Sequence, residues 1–169
     1  MTRKILRVLV TGAGAPGIRG TLYCLKNNWD QISISSVGVD IKEDAIGKYF
    51  TNRFYKIPEP ESSKYIPLLL NICKKEKINV IIPQTTREIE VLSAKRDEFA
   101  ALGYPIMVSS HDSVLRSNDK SSLIKVFEEE GLPVPRHKDV SSKEELLRAA
   151  RELGYPKKQV VIKPAVSFG

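Results

Sequence analysis

Cysteine is scarce in this chain: Cys24 and Cys73 stand alone, in no CxxC spacing and beside no histidine. That excludes a disulfide framework and a cysteine-based metal knuckle, and both thiols, set in apolar helical patterns, read as buried and free in a reducing cytosol. Long apolar runs are missing as well. The stretch 5–10 is short, carries Arg7 and leads straight into a glycine turn, so it is neither a secretion signal nor a bilayer span, which needs ~20 apolar residues. Nor is charge of one sign gathered anywhere. The net charge is +7, yet the basic residues are spread from Arg3 to Lys163 and interleave with Asp and Glu. Scattered charge of that kind is a solvated surface rather than a nucleic-acid footprint. A soluble, cytoplasmic protein is expected, with no nucleic-acid and no membrane partner.

What is present is a globular composition. Hydrophobic residues make up 41% and charged residues 28%, enough to bury a core and unlike a disordered chain. With domains running to ~100–150 residues, the 169 positions hold one domain and part of another. Short apolar runs alternate with amphipathic stretches, the pattern of a parallel sheet flanked by helices. Strands are expected at 5–11, 35–40, 54–57, 80–83 and 106–109. Helices are expected from the glycine turn to Asn28, over 62–77, and over 87–102. This order predicts an α/β, Rossmann-like, open and mostly parallel sheet over residues 1–110.

After Ser110 the character changes. Asn118 or Asp119 caps a helix with Leu123, Ile124 and Phe127 on one stripe, and Gly131 ends it. Pro133 and Pro135 impose an extended linker. Ser141 and Glu144 have capping-box spacing before a helix that buries Leu146, Leu147, Ala150 and Leu153 and stops at Gly154. A strand at 159–162 follows, then Lys163-Pro-Ala-Val-Ser-Phe-Gly169. Two helices and a strand close no core by themselves, so this part reads as interrupted, and its unpaired strand favours self-association or local disorder.

Three motifs carry chemistry. Gly12-Ala-Gly14-Ala-Pro-Gly17 is a G-x-G-x-x-G between a strand and a helix, where glycines allow a tight turn and the helix N-terminus favours an anion. Asp40 ends the second strand where a ribose-binding acid would lie, so an NAD(P)-dependent Rossmann oxidoreductase is one reading. Pro16 in the loop and Arg19-Gly20 after it are atypical of that class. Thr85, Thr86, Arg87 and Glu88 follow a buried strand at the edge where open α/β sheets gather ligands. They equally suit a helix start capped by Thr85 or Thr86. The third motif is an ordered set: Asn118-Asp119-Lys120 opening a helix, then Gly131-Leu-Pro-Val-Pro135, then Val160-Val-Ile-Lys163-Pro164.

In that combination the chain resembles the ATP-grasp superfamily, most nearly proteins similar to the carbamoyl-phosphate synthase large subunit. The segments VTGAGAPGIRG and IIPQTTREIEVL look like the domain that precedes ATP-grasp in those proteins, so the resemblance spans essentially the whole chain. It implies a pre-ATP-grasp domain at 1–112 and an incomplete, N-terminal piece of an ATP-grasp domain at 113–169. It further implies that Lys120 and Lys163 face ATP phosphates and that Ser167 and Gly169 begin the loop over the triphosphate, although Phe168 departs from a glycine-serine loop. Gly12, Gly14, Gly17, Asp40 and Thr85–Glu88 become the substrate-side cleft, for the carboxylate substrate or for the domain interface, rather than a dinucleotide site. The implied activity is ATP- and Mg²⁺-dependent ligation of a small carboxylate to an amine through an acyl phosphate. Magnesium ligands would lie beyond these residues, and the fragment alone is expected to be inactive. Homo-oligomerisation is compatible with this reading. A non-catalytic interaction module that kept the first domain stands beside it.

Overall fold

The computed structural model describes residues 5–166, and the chain divides into two compact units, Met1–Val114 and Leu115–Gly169. The first is built on four parallel strands, β1 (Leu6–Val10), β2 (Ile34–Asp40), β3 (Arg53–Lys56) and β4 (Val80–Ile82), in the order β3-β2-β1-β4. β1 is central: Val8 lies opposite Ser36 on one side and Val80 on the other. Because side chains alternate across a strand, β1 feeds two cores at once. Val8 and Val10 pack with Ile18 and Leu22 of α1 (Ile18–Lys26). Leu9 goes to the opposite face, beneath α2 (Tyr65–Glu76), α3 (Thr86–Ser93) and α4 (Arg96–Ala101), where Tyr65, Leu69, Leu92 and Phe99 are wholly buried. In place of a helix, the link from β2 to β3 holds only a 3₁₀ turn, Ile46–Tyr49.

Three expectations for this unit need correction. The helix over 87–102 is two helices, because the Ser93 hydroxyl donates back to the Glu90 carbonyl (2.8 Å) and the Lys95 amide closes on Leu92 (3.1 Å), which ends the first helix. The strand at 106–109 shrinks to one parallel bridge between Ile106 and Ile81, since the Val108 amide turns back onto the Ile106 carbonyl. Cys24 is exposed: it lies off the Ile18–Leu22–Leu25 stripe of α1. Cys73 is buried, and burial pushes its thiol pKa up to about 12.

The division between the units falls within α5 (His111–Asn118), a helix the sequence pattern did not reveal, started by the Ser110 hydroxyl accepting from the Ser113 amide. The second unit contains α6 (Lys120–Glu129) and α7 (Lys143–Leu153). Asp119 caps α6 through the amides of Ser121 and Ser122. The cap of α7 is Ser142, not Ser141; Glu145 receives both the amide and the hydroxyl of Ser141, so the box sits one residue later than its spacing implied. Residues 159–162 are extended without being a strand, because they have no ladder partner among the described residues. Past them, the antiparallel bridge of Asp119 with Val166 joins the chain to the start of α6.

Candidate functional site

At the carboxyl edge of the sheet, the turns after β1 and β4 meet. Gly12 follows β1 with φ +59°, and a β-carbon on it would stand 2.5 Å from Glu88 Oε2 and 2.6 Å from Thr85 Cγ2. Only glycine tolerates both that backbone and that approach. Thr85 caps α3, accepting from the Glu88 amide (3.4 Å) and donating its own proton to Glu88 Oε2 (2.7 Å). The other carboxylate oxygen, Oε1, accepts from the Tyr65 hydroxyl at 3.1 Å. Glu88 is 4% exposed and makes no ion pair among the described residues. Burial raises its pKa above the usual carboxyl value, against the hydrogen bonds from Thr85 and Tyr65, and the charge of Asp40 adds to the rise. Tyr65 is raised in turn, first by burial and then by Glu88. The Thr11 hydroxyl, fully buried, faces both groups closely enough to favour their ionised forms, yet reaches hydrogen-bond geometry with neither.

Asp40 does different work from the ribose acid its position implied. Its Oδ2 accepts from the Gly14 amide at 2.6 Å and its Oδ1 from the Lys42 amide at 2.9 Å, and the residue is buried. The carboxylate thus fixes the glycine loop instead of facing outward to a sugar. The 3₁₀ turn closes on the same loop: the Gly47 amide donates to the Ala13 carbonyl at 2.9 Å. Of the three glycines, Gly12 and Gly14 are hemmed in, while a side chain at Gly17 would meet nothing within 4 Å. Thr86 opens α3, half-buried. Arg87 turns away into an exposed clamp, bidentate to Glu61 (2.9 and 2.7 Å) and paired with Glu59 at 3.1 Å. That guanidinium holds the Glu61 carboxyl below its ordinary value. Gly12, Gly14, Asp40, Thr85 and Glu88 therefore form one cluster, with Gly17 and Arg87 outside it. Tyr65 and Thr11 belong to it and carried no local signal, since their role arises only when α2 and β1 are brought to Glu88.

In the second unit the Lys120 amide donates to the Ala165 carbonyl at 2.9 Å, which lays the segment after Lys163 beside the start of α6. Lys163 is exposed. Two residues before Lys120, the buried Asn118 Nδ2 has no hydrogen-bond acceptor among the described residues. Asp119 is held below the usual carboxyl value by the Ser122 amide and hydroxyl. Ser167 and Gly169 lie outside the described residues. No group of three or more His, Cys, Asp or Glu side chains is placed to hold a metal ion among the described residues, and no described helix is long and apolar enough to cross a membrane.

Known proteins share sequence and fold with this chain. The model of the PylC-like N-terminal domain family matches residues 8–107. The carbamoyl phosphate synthase large chain of Clostridium acetobutylicum is 29% identical over 171 residues, an alignment covering 96% of this chain and 15% of that protein. The formate-dependent phosphoribosylglycinamide formyltransferase of Wolinella succinogenes is 25% identical over 167 residues, covering 98% and 39%. Among solved structures, N5-carboxyaminoimidazole synthetase from Staphylococcus aureus superposes with a TM-score of 0.62 at 16% identity, over 91% of this chain and 38% of that one. The biotin carboxylase domain of a single-chain bacterial carboxylase gives 0.59 at 17% identity, over 88% and 34%. Likeness at such low identity is a likeness of fold. The chain spans well under two thirds of the length of each of these proteins.

Proposed function

This chain belongs to the PylC-like N-terminal domain family, and from that membership we propose that it forms the substrate side and the opening of the nucleotide subdomain of an ATP-grasp carboxylate–amine ligase. Residues 1–112 supply the substrate-side domain and 113–169 the start of the ATP-grasp domain. The observation that carries this reading is Glu88: a buried carboxyl, braced by Thr85 and Tyr65, at the edge where open α/β sheets gather ligands. Both its oxygens are taken by Tyr65 and Thr85, so Glu88 shapes this edge without itself meeting the substrate. Asp40 keeps the 12–14 loop in place beside it.

On the nucleotide side, Lys120 and Lys163 hold phosphate oxygens, with Ser167 and Gly169 in the covering loop. The orphaned Asn118 amide is a donor awaiting an acceptor next to Lys120, which fits a triphosphate. ATP, when bound, supplies the phosphoryl group that activates the carboxylate. The described residues offer no acidic set for magnesium, so no step through that ion is assigned to them.

Titration with an ATP analogue, followed by amide NMR, tests the assignment. Shifts should gather around Lys120 and Lys163 and vanish in Lys163→Ala. A rise in melting temperature with NAD(H) would replace the ligase by an oxidoreductase; at 100 times its Kd such a ligand adds about 2.7 kcal/mol. Absence of shifts with any nucleotide would favour a non-catalytic module.

A further inference from the structure

The turn that carries Gly12 and Gly14 lies between two buried carboxyls. A β-carbon on Gly12 would stand 2.5 Å from Glu88 Oε2, and one on Gly14 would stand 3.0 Å from Asp40 Oδ2. Neither carboxyl makes an ion pair among the described residues. Asp40 is held by the backbone amides of Gly14 and Lys42, which can only donate and so suit a fixed negative charge. Glu88 is held by the hydroxyls of Tyr65 and Thr85, and a hydroxyl serves a neutral acid as well as an ion because it donates or accepts. A third hydroxyl beside them is idle. Thr11 is wholly buried, and its Oγ1 has no hydrogen-bond partner. Two residues after Leu9, with its amide still bonded to Ile82 of β4, it projects to the face that holds Tyr65 and Glu88. Buried hydroxyls are ordinarily paired, so an orphan here calls for a reason.

We propose that these residues form a proton-operated switch on the glycine turn, in which Thr11 is the donor that engages Glu88 only once its carboxyl ionises. With the proton on, Glu88 rests against Gly12 and Thr11 is left out. With the proton off, a buried charge faces Asp40 across the turn and requires a further donor. The Thr11 hydroxyl is unengaged and already close enough to favour that charge. Turning to it takes the carboxylate off Gly12 and slackens the turn at the carboxyl edge of the sheet. The groups facing Glu88 are Tyr65 from α2, Thr85 from α3, Thr11 after β1 and Asp40 from β2, while Arg87 points away into its clamp with Glu59 and Glu61. Burial, reinforced by Asp40, holds the proton on Glu88 above the usual carboxyl range. The turn is therefore tight in acid and loosens as pH rises through the Glu88 titration. The device is independent of the ligase reading.

The full chain, labelled with ¹³C at glutamate carboxyls and ¹⁵N at amides, is titrated by NMR. The Gly12 and Gly14 amides should shift with the midpoint of the Glu88 carboxyl, and in Glu88→Gln that transition should vanish. Thr11→Val removes the reserved donor, so both midpoints should move up together, and Thr11→Ser should restore them. These two variants carry the test if Glu88→Gln does not fold. Glycine amides that stay still while Glu88 titrates, or that keep their transition in Glu88→Gln and so follow Asp40, would overturn the proposal. So would a midpoint that Thr11→Val leaves in place or lowers, which would make the hydroxyl a bystander or an acceptor. Global unfolding of the first unit in step with the titration would also overturn it, because the turn would then have no second folded state.

Discussion

The two units are made from the same kinds of residue and differ in what those residues reach. Up to Val114, β1 alone sends side chains into two cores, and a dozen large side chains are almost completely shielded from water. From Leu115 to Val166, among the described residues, only Ala149 is buried, while Phe127, Leu147, Val161 and Ile162 are exposed. Yet α6 and α7 are as well capped as any helix of the first unit. Capping satisfies amides locally and contributes about 1 kcal/mol each. Burial requires something to bury against. The second unit shows how far local signals carry a chain in the absence of a sheet.

Truncating the apolar core is the strongest way to break this contrast. Leu69→Ala should cost about 2–5 kcal/mol, as large-to-small changes in packed cores do, whereas Leu147→Ala should change stability by no more than about 0.5 kcal/mol. Urea unfolding read through amide exchange in each unit would measure both. A loss at Leu147 as large as at Leu69 would show that α7 is packed after all.

A pair of glycines sharpens the contrast at intermediate size. Gly12 and Gly131 share a left-handed backbone, φ +59° and +68°, but a β-carbon at Gly131 would meet nothing within 4 Å. Gly131→Ala should therefore cost only the conformational penalty, about 1–2 kcal/mol. Gly12→Ala must also displace Glu88 and Thr85, and roughly 3 kcal/mol or more is expected from the two effects together. Melting temperatures of the two variants give the comparison, and equal shifts would mean that Glu88 moves aside freely.

The smallest effect is also the most diagnostic, because its sign differs between the units. Glu88 binds its proton more tightly folded than unfolded, chiefly through burial. The first unit therefore loses stability as pH rises from the unfolded carboxyl value through the raised folded one, and Glu88→Gln should remove that slope. In the second unit the carboxyls of Asp119, Glu145 and Glu152 are depressed, by the Ser122 amide, the Ser141 amide and the Lys138 ammonium in turn. Their contribution is present above the unfolded value and fades as pH falls. Amide exchange at Leu69 and at Leu146, followed across the carboxyl range, should move in opposite directions. Parallel trends would contradict the assignment.

The legible parts of this molecule were those written in neighbouring residues. Apolar runs located β1 to β4, and the helical spacing of Ile66, Leu69, Leu70 and Cys73 located α2. Losses came where a distant partner decided the outcome. Nothing near Ser93 announces that its hydroxyl will face His111 across 2.9 Å, and α5, whose first residue is His111, went unseen. The apolar pattern at 106–109 promised a strand that the Val108 amide closes off. In the candidate site, the glycine loop and the Thr85–Glu88 helix start were visible because turns and caps are local chemistry. Asp40 was visible but its employment was not, since that depends on the amides of Gly14 and Lys42 folding around it. Tyr65 was hidden entirely.

The strand order has a consequence for synthesis. β1 pairs Val8 with Ser36, but its other neighbour, opposite Val8, is Val80. During synthesis β1 precedes both of its neighbours, and its second side is paired only once β4 follows. Until β4 clears the exit tunnel, one hydrogen-bonding edge of β1 stays open. Long-range parallel pairing of this kind folds late and leaves an adhesive edge exposed meanwhile. Translational pausing between β2 and β4 should therefore lengthen the interval in which the nascent chain recruits a holdase, and nascent chains stalled before Val80 should remain chaperone-bound where those passing Ile82 are released.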